Sequence, residues 1–233
     1  MVMSNNKYFN TIFKDHDILV IDKFSGIETI RGVSNEISIE QLIKNNIERS
    51  GIVHRLDKDT SGVMVIAKTQ QSFENLKKQF VDHSVKKIYI TLVSGDCNDK
   101  GEIISYIVHD PKRKQAMKAI NYPTGLERGK PREAQTLYKK IKKIKIGDNV
   151  ASFLEVEIKT GRTHQIRVHM QSIGHPVLGD EMYNTKTSKE FSKKIGLKRQ
   201  FLHAKILELN HPKTENRMKF ESPLPNDLKL SIL

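Results

Sequence analysis

The hydrophobic pattern repeats mainly at every second residue. Positions 8–13 and 18–22 read as two short strands around the polar turn Lys14-Asp15-His16-Asp17, and Lys23 to Gly26 as a second turn. Positions 87–93 (KIYITLV) are rich in β-branched residues and close on Ser94-Gly95. Strand-like alternation returns at 103–108, at Ala134, Thr136 and Tyr138, and most clearly at Val150, Ser152, Leu154, Val156 and Ile158. Positions 205–209 and 218–221 read as closing strands. Helical spacing is confined to short stretches. Ile39, Leu42, Ile43 and Ile47 share a face behind a Ser38 N-cap, and Phe73, Leu76 and Phe80 share one in a helix starting at Ser72. Ile166, Met170 and Ile173 fit a third helix, capped by Thr163 and stopped by Gly174-His175-Pro176; 191–197 fits a short fourth. Strands dominate without regular strand–helix alternation, which predicts an α+β fold with largely antiparallel pairing.

One stretch breaks this pattern. Positions 51–69, GIVHRLDKDTSGVMVIAKT, set a polar knot from His54 to Gly62 between two apolar runs, Ile52-Val53 and 63–67, that read as strands entering the core. A core segment gains nothing from His, Arg and two Asp at its centre. Buried unpaired they would cost several kcal/mol, so they must be paired, solvated or working. Loops held on rigid strands are where sites are usually built.

Composition narrows the partners. The 233 residues suffice for one large domain or two small ones, and no repeat or linker forces a boundary, so a single domain over 1–233 is expected. A net charge of +13 points to a polyanion, most often nucleic acid, although any lysine-rich surface would raise it. No 18-residue apolar run is present, which argues against a membrane. Cys97 is alone, so an intramolecular disulfide and a cysteine-rich zinc site are excluded. The opening MVMSNNKYFNTIF carries no readable signal peptide, which makes the cytoplasm the expected location.

Each chemical constellation has a bland counterpart. Asp57 and Asp59 could be a carboxylate pair for glycosidic cleavage, but Asp59 with Thr60 and Ser61 reads better as a turn-former. His54-Arg55-Leu56-Asp57 matches part of a kinase catalytic loop without the glycine-rich cover or the metal-binding Asp-Phe-Gly. Positions 125–131, GLERGKP, are one residue short of a phosphate loop and place Pro131 where Ser or Thr should hold magnesium. His164 and His169 lie five apart, on different helix faces, so no metal is expected. Arg162 and Arg167 are either a solvated basic face or one arginine for a carboxylate and one for phosphate.

Taken together, the pieces resemble the RluA family of pseudouridine synthases. Gly51-Ile52-Val53-His54-Arg55-Leu56-Asp57 with Thr60-Ser61-Gly62 is similar to its signature, in which the aspartate is catalytic. Lys87-Ile88-Tyr89 with Val93-Ser94-Gly95 is similar to its second motif, which supplies an active-site tyrosine, and positions 160–169 (TGRTHQIRVH) to its third. Positions 174–180 (GHPVLGD), Leu202-His203-Ala204 and Ser222-Pro223-Leu224-Pro225 also fit, so the likeness runs from about 17 to 227. Phe24 departs from the family's usual proline.

The resemblance implies the pseudouridine synthase catalytic fold, a largely antiparallel (mixed) sheet flanked by helices and loops with a central active-site cleft. It implies Asp57, Tyr89 and Arg167 as catalytic residues, Arg167 pairing with Asp57, and His54, Arg55, Arg162, His164 and Gln165 as substrate-binding. The isomerisation breaks the C1′–N1 bond, turns the uracil and joins C5 to C1′. It involves no redox change and so requires no cofactor. The carboxylate would attack the base, attack C1′ or remove a sugar proton. The implied substrate is structured RNA, ribosomal or transfer; a monomer is expected, and, unlike many members of the family, one with no separate N-terminal RNA-binding domain, since so few residues precede the first strand. Phosphates would meet basic residues such as Lys112, Arg113, Lys114, Arg128, Lys130 and Arg132. Two rivals remain: a binding protein that has lost catalysis, and a hydrolase using Asp57 and Asp59 that would release free uracil.

Overall fold

The computed structural model describes residues 7–32, 36–44 and 46–230. The chain divides into two compact units, Met1–Lys87 with His203–Pro225 and Ile88–Leu202 with Asn226–Leu233.

In the first unit, β1 (Phe9–Lys14) and β2 (Ile18–Lys23) form an antiparallel pair across the expected polar turn. β2 then pairs antiparallel with β3 (Ser61–Ala67), which is buried along its whole length. β9 (Leu202–Asn210) joins β3 in parallel at Ser61–His203 and Gly62–Ala204, and β10 (Arg217–Glu221) closes on β9 antiparallel. Gly62 makes the parallel contact possible. Its φ is +120°, and a Cβ there would lie 2.2 Å from the Ala204 carbonyl oxygen. Ile21, Met64 and Ile66 point into a cluster with Phe9, Ile27, Ile39 and Ile52. α2 (Gln70–Val81) packs against β3 and buries Phe73 and Leu76. Its cap is Thr69, whose hydroxyl accepts from the Ser72 N–H, so the helix begins ahead of the expected Ser72.

The first helix is shorter than its periodicity suggests. α1 (Ile39–Ile43) has the expected Ser38 cap, completed into a capping box by Gln41. Lys44 then takes a left-handed φ of 47° and ends it, leaving Ile47 ahead of a 3-10 turn at Glu48–Gly51.

The second unit is fully antiparallel. Its strand order is β4 (Lys86–Ser94), β8 (Asn149–Ile158), β7 (Arg132–Ile146), β5 (Lys100–His109), β6 (Met117–Ile120). β7 runs 15 residues, through the lysine-rich positions 139–145, because β8 pairs it to the end across a bulge at Lys140–Lys142. α3 (Gln165–Ser172) lacks the expected Thr163 cap: His164 stands at the N-cap with φ 57° and its side chain makes no capping bond. α4 (Lys186–Lys194) begins five residues before the expected 191, behind a Thr185–Ser188 capping box. These elements give the expected α+β class. Among the described residues no helix is long and apolar enough to cross a membrane.

Candidate active site

In the first unit, the polar knot forms no strand of its own. Ile52 makes one bridge to Ile66, and the chain then turns away to reach Ser61. Gly51 has φ +82°, and a Cβ there would lie 2.0 Å from the Ala67 carbonyl oxygen, so the knot enters against the end of β3 only through glycine. His54 fixes the next step. Its Nε2 accepts the Val65 N–H at 3.0 Å, and its ring stacks on Phe80 at 4.6 Å. Burial, helped by the nearby Lys87 charge, pushes its pKa down to about 3, so it is a neutral ring with its proton on Nδ1.

Asp57 sits between two clamps. On one side the Thr29 hydroxyl donates to the Leu56 carbonyl (2.8 Å) and accepts the Leu56 N–H (3.1 Å). On the other, the Lys58 carbonyl receives the Gly26 N–H (2.9 Å) and the Lys23 side-chain nitrogen (3.0 Å). Lys23 is fully buried and also donates to the carbonyls of Phe24 and Ile27, at 2.8 and 2.9 Å. Three carbonyls match the three N–H groups of an ammonium. The Asp57 carbonyl accepts the Thr60 N–H at 3.1 Å and closes the turn, so Asp59 and Thr60 are turn residues as expected. Arg55 is exposed and Asp57 half-buried. Phe24 gives its N–H to the Tyr8 carbonyl at 2.9 Å, a bond that proline could not make.

Sequence reasoning missed Thr29 and Lys23 as clamps, since their partners lie 27 and 35 positions away. Thr29→Val keeps the shape but leaves two buried backbone groups unpaired, which costs about 2–4 kcal/mol. The expected result is a lower melting temperature, which thermal unfolding checks.

The second unit holds the remaining motif residues. Tyr89 lies on β4 and is 8% exposed. Arg167 on α3 forms a buried two-point pair with Asp180, Nε to Oδ2 at 2.6 Å and Nη2 to Oδ1 at 3.0 Å. Asp180 also accepts the N–H groups of Met182 and Tyr183. Burial alone would raise its pKa, but the Arg167 hydrogen bond and charge and the two N–H donors hold it below the usual carboxylate range. Tyr183 is a fully buried hub. Its ring lies 4.9 Å from the Arg167 guanidinium, and its hydroxyl receives the Met117 N–H and lies 2.8 Å from His164 Nδ1. Nothing in the sequence singled it out.

Gln165 is fully engaged within the protein. Its Oε1 accepts from Thr160 and the Arg162 N–H, and its Nε2 donates to the Gln135 carbonyl and Thr136. This side chain folds back over the turn that Thr163 was expected to cap. Arg162 Nε donates to the Glu133 carbonyl, and burial with the neighbouring Arg132 charge lowers its pKa. His169 is buried between Thr136 and Ser105, which pushes its pKa down to about 4. Lys112, Arg113, Lys114, Arg128, Lys130 and Arg132 are exposed, and Arg113 is tied to Asp110 and the Met182 carbonyl.

Among the described residues, Asp15, Asp17 and His211 have ligand atoms within 4.8 Å of one another. His211 Nδ1 accepts two backbone N–H groups and Nε2 faces Asp15 at 2.7 Å, so both ring nitrogens already hold the fold together.

Residues 17–172 match the family described as RNA pseudouridylate synthase. The ribosomal large subunit pseudouridine synthase D of Nitrosomonas europaea is 37% identical over 93% of this chain and 62% of its own length. The protein of the same description from Pseudomonas aeruginosa is 36% identical over 93% of this chain and 68% of its own. The chain therefore spans roughly two thirds of these relatives. Human RNA pseudouridylate synthase domain containing 1 superposes with a TM-score of 0.72 at 21% identity, covering 97% of this chain and 87% of that one, a likeness of fold.

Proposed function

The chain belongs to the RNA pseudouridylate synthase family, and we propose that it isomerises uridines of structured RNA, with Asp57 as the catalytic carboxylate. The observation that carries this reading is the double clamp. Thr29 fixes Leu56, while Lys23 and Gly26 fix Lys58, so the backbone on both sides of Asp57 is immobilised. A turn that served only to connect two segments would not require a buried lysine. Fixing one carboxylate against a bound nucleotide supplies the positioning that a unimolecular rearrangement needs.

Tyr89 and Arg167 take the catalytic roles that their motifs imply, Tyr89 offering an aromatic face for uracil and Arg167 an opposite charge for Asp57. Arg55, Arg162 and His164 are assigned to the substrate, and His54 and Gln165 to positioning, given the bonds they already make. Large-subunit ribosomal RNA is the favoured substrate because the relatives carry that description, with the anticodon arm of transfer RNA second. A uridine inside a helix must be flipped out to react. The protein acts as a monomer in the cytoplasm and needs no cofactor.

The test maps pseudouridines by carbodiimide treatment and primer extension in cells with and without the gene. The expected result is loss of specific sites in large-subunit ribosomal RNA and their return with the wild-type chain. Loss confined to transfer RNA would move the substrate. If no site changes once redundant synthases are removed, the binding-only reading takes over.

A further inference from the structure

A second feature of the first unit lies beside the Asp57 loop. Arg31, Glu40, Gln41, Lys44, Ile47 and Arg49 line an open groove of ≈550 Å³. Three cations face one carboxylate there, and that carboxylate, Glu40, accepts the Arg31 backbone N–H. Arg31, Lys44 and Arg49 are exposed, and among the described residues none of the three has an ion-pair partner. Lys44, Arg49 and Ser50 all hold left-handed backbone angles (φ 47°, 51° and 49°). Such angles are costly away from glycine and persist only where the surroundings impose them. The backbone that carries Lys44 and Arg49 is therefore held in place by the fold.

The groove is joined to the candidate catalytic loop at two points. Arg49 and Ser50 run directly into Gly51, which leads into the knot. Arg31 stands two residues past Thr29, so its backbone lies within ~7 Å of the residue that clamps Leu56. We propose that the Arg31–Lys44–Arg49 groove binds phosphates of the RNA strand that flanks the target uridine. The inference rests on the reading of Asp57 as the catalytic carboxylate. The chemistry fits a strand better than a free anion: the cations line an open groove, and no enclosed pocket would surround a single phosphate. Phosphate contacts fix register without reading sequence, which suits a groove with few base-reading side chains.

The test compares Arg31→Gln/Lys44→Gln/Arg49→Gln with a control of equal charge change on α4, Lys186→Gln/Lys193→Gln/Lys194→Gln. Probes are poly(U) and an unmodified transcript of large-subunit ribosomal RNA. The groove variant is expected to bind the transcript about tenfold to a hundredfold more weakly. Its slope of log affinity against log salt should be shallower by about two, since each neutralised phosphate contributes roughly 0.7–0.9. Its rate at saturating RNA should stay within about twofold of wild type, as the cations contribute to binding and not to the chemical step. Equal weakening by the control, or an unchanged salt slope in the groove variant, overturns the proposal. Binding by the wild-type chain without isomerisation would sink the functional reading alone, because the groove is judged on affinity. Failure of the wild type to bind either RNA would sink both.

Discussion

Asp57→Asn is expected to lower the single-turnover rate of isomerisation at least about a thousandfold, with folding intact and RNA affinity within about threefold of wild type. Asparagine keeps the size of the side chain, and the clamps act on backbone atoms of Leu56 and Lys58, which the substitution does not touch. The turn bond from the Thr60 N–H to the residue-57 carbonyl also survives. What disappears is the carboxylate, which all three chemical routes need. Joining C1′ to C5 expels the C5 hydrogen as a proton, so tritium release from 5-tritiated uridine in the RNA measures the step directly. Asp59→Asn should retain near-wild-type rates, since Asp59 lies exposed in the turn. Equal losses in both variants with release of free uracil would instead identify a hydrolase. A rate above about a tenth of wild type in Asp57→Asn would remove Asp57 from the chemistry.

The sequence exposed most of the fold where local pattern and burial agree. β3 and β4 are apolar runs buried nearly throughout, and β8 alternates along the surface that it shares between β4 and β7. It hid elements whose stability comes from a neighbour. The strand alternation read at Ala134, Thr136 and Tyr138 stops short of the lysine-rich positions 139–145, yet these continue β7 because β8 offers paired backbone to Ile146. Ile39, Leu42, Ile43 and Ile47 have helical spacing, but α1 ends at a left-handed Lys44 and leaves Ile47 outside it. α4 announced itself by Thr185 and Ser188, a weak capping signal beside the more conspicuous Phe191.

The candidate site was legible in the same uneven way. His54 and Asp57 stood out because polar residues interrupted a core-forming run. Lys23 and Thr29 did not, as a lysine in a turn and a threonine in a short apolar stretch look ordinary until their distant partners are known. Asp180 was visible only as the last letter of a motif, and the two-point pair that it forms with Arg167 has no local signature.

That pair gives the largest expected effect on stability. Asp180→Asn removes the carboxylate charge opposite Arg167 while keeping the side-chain volume, and both groups are buried, at 0% and 8% side-chain exposure. Breaking a buried pair from one side costs about 3–5 kcal/mol, which for a chain of this size lowers the melting temperature by roughly 6–20 °C. The dependence on acid separates this charge effect from simple misfit. Asp180 is held below its ordinary 3.8 in the folded state, because Arg167 and two N–H groups outweigh burial. A depressed carboxylate contributes stability that is fully present above its unfolded pKa and lost as pH falls through the folded one. The wild type should therefore lose its advantage over Asp180→Asn as pH falls below 3.8, and keep it undiminished at neutral pH. Melting curves of both proteins across that range decide the matter. A constant difference at every pH would mean that the carboxylate acts through shape and its N–H bonds alone. The Tyr183 hub should loosen with the pair, since Asp180 accepts its N–H and Arg167 lies over its ring. Activity in Asp180→Asn is then expected to fall about tenfold or more below its melting transition, whereas a variant that is less stable yet fully active would confine the pair to the fold.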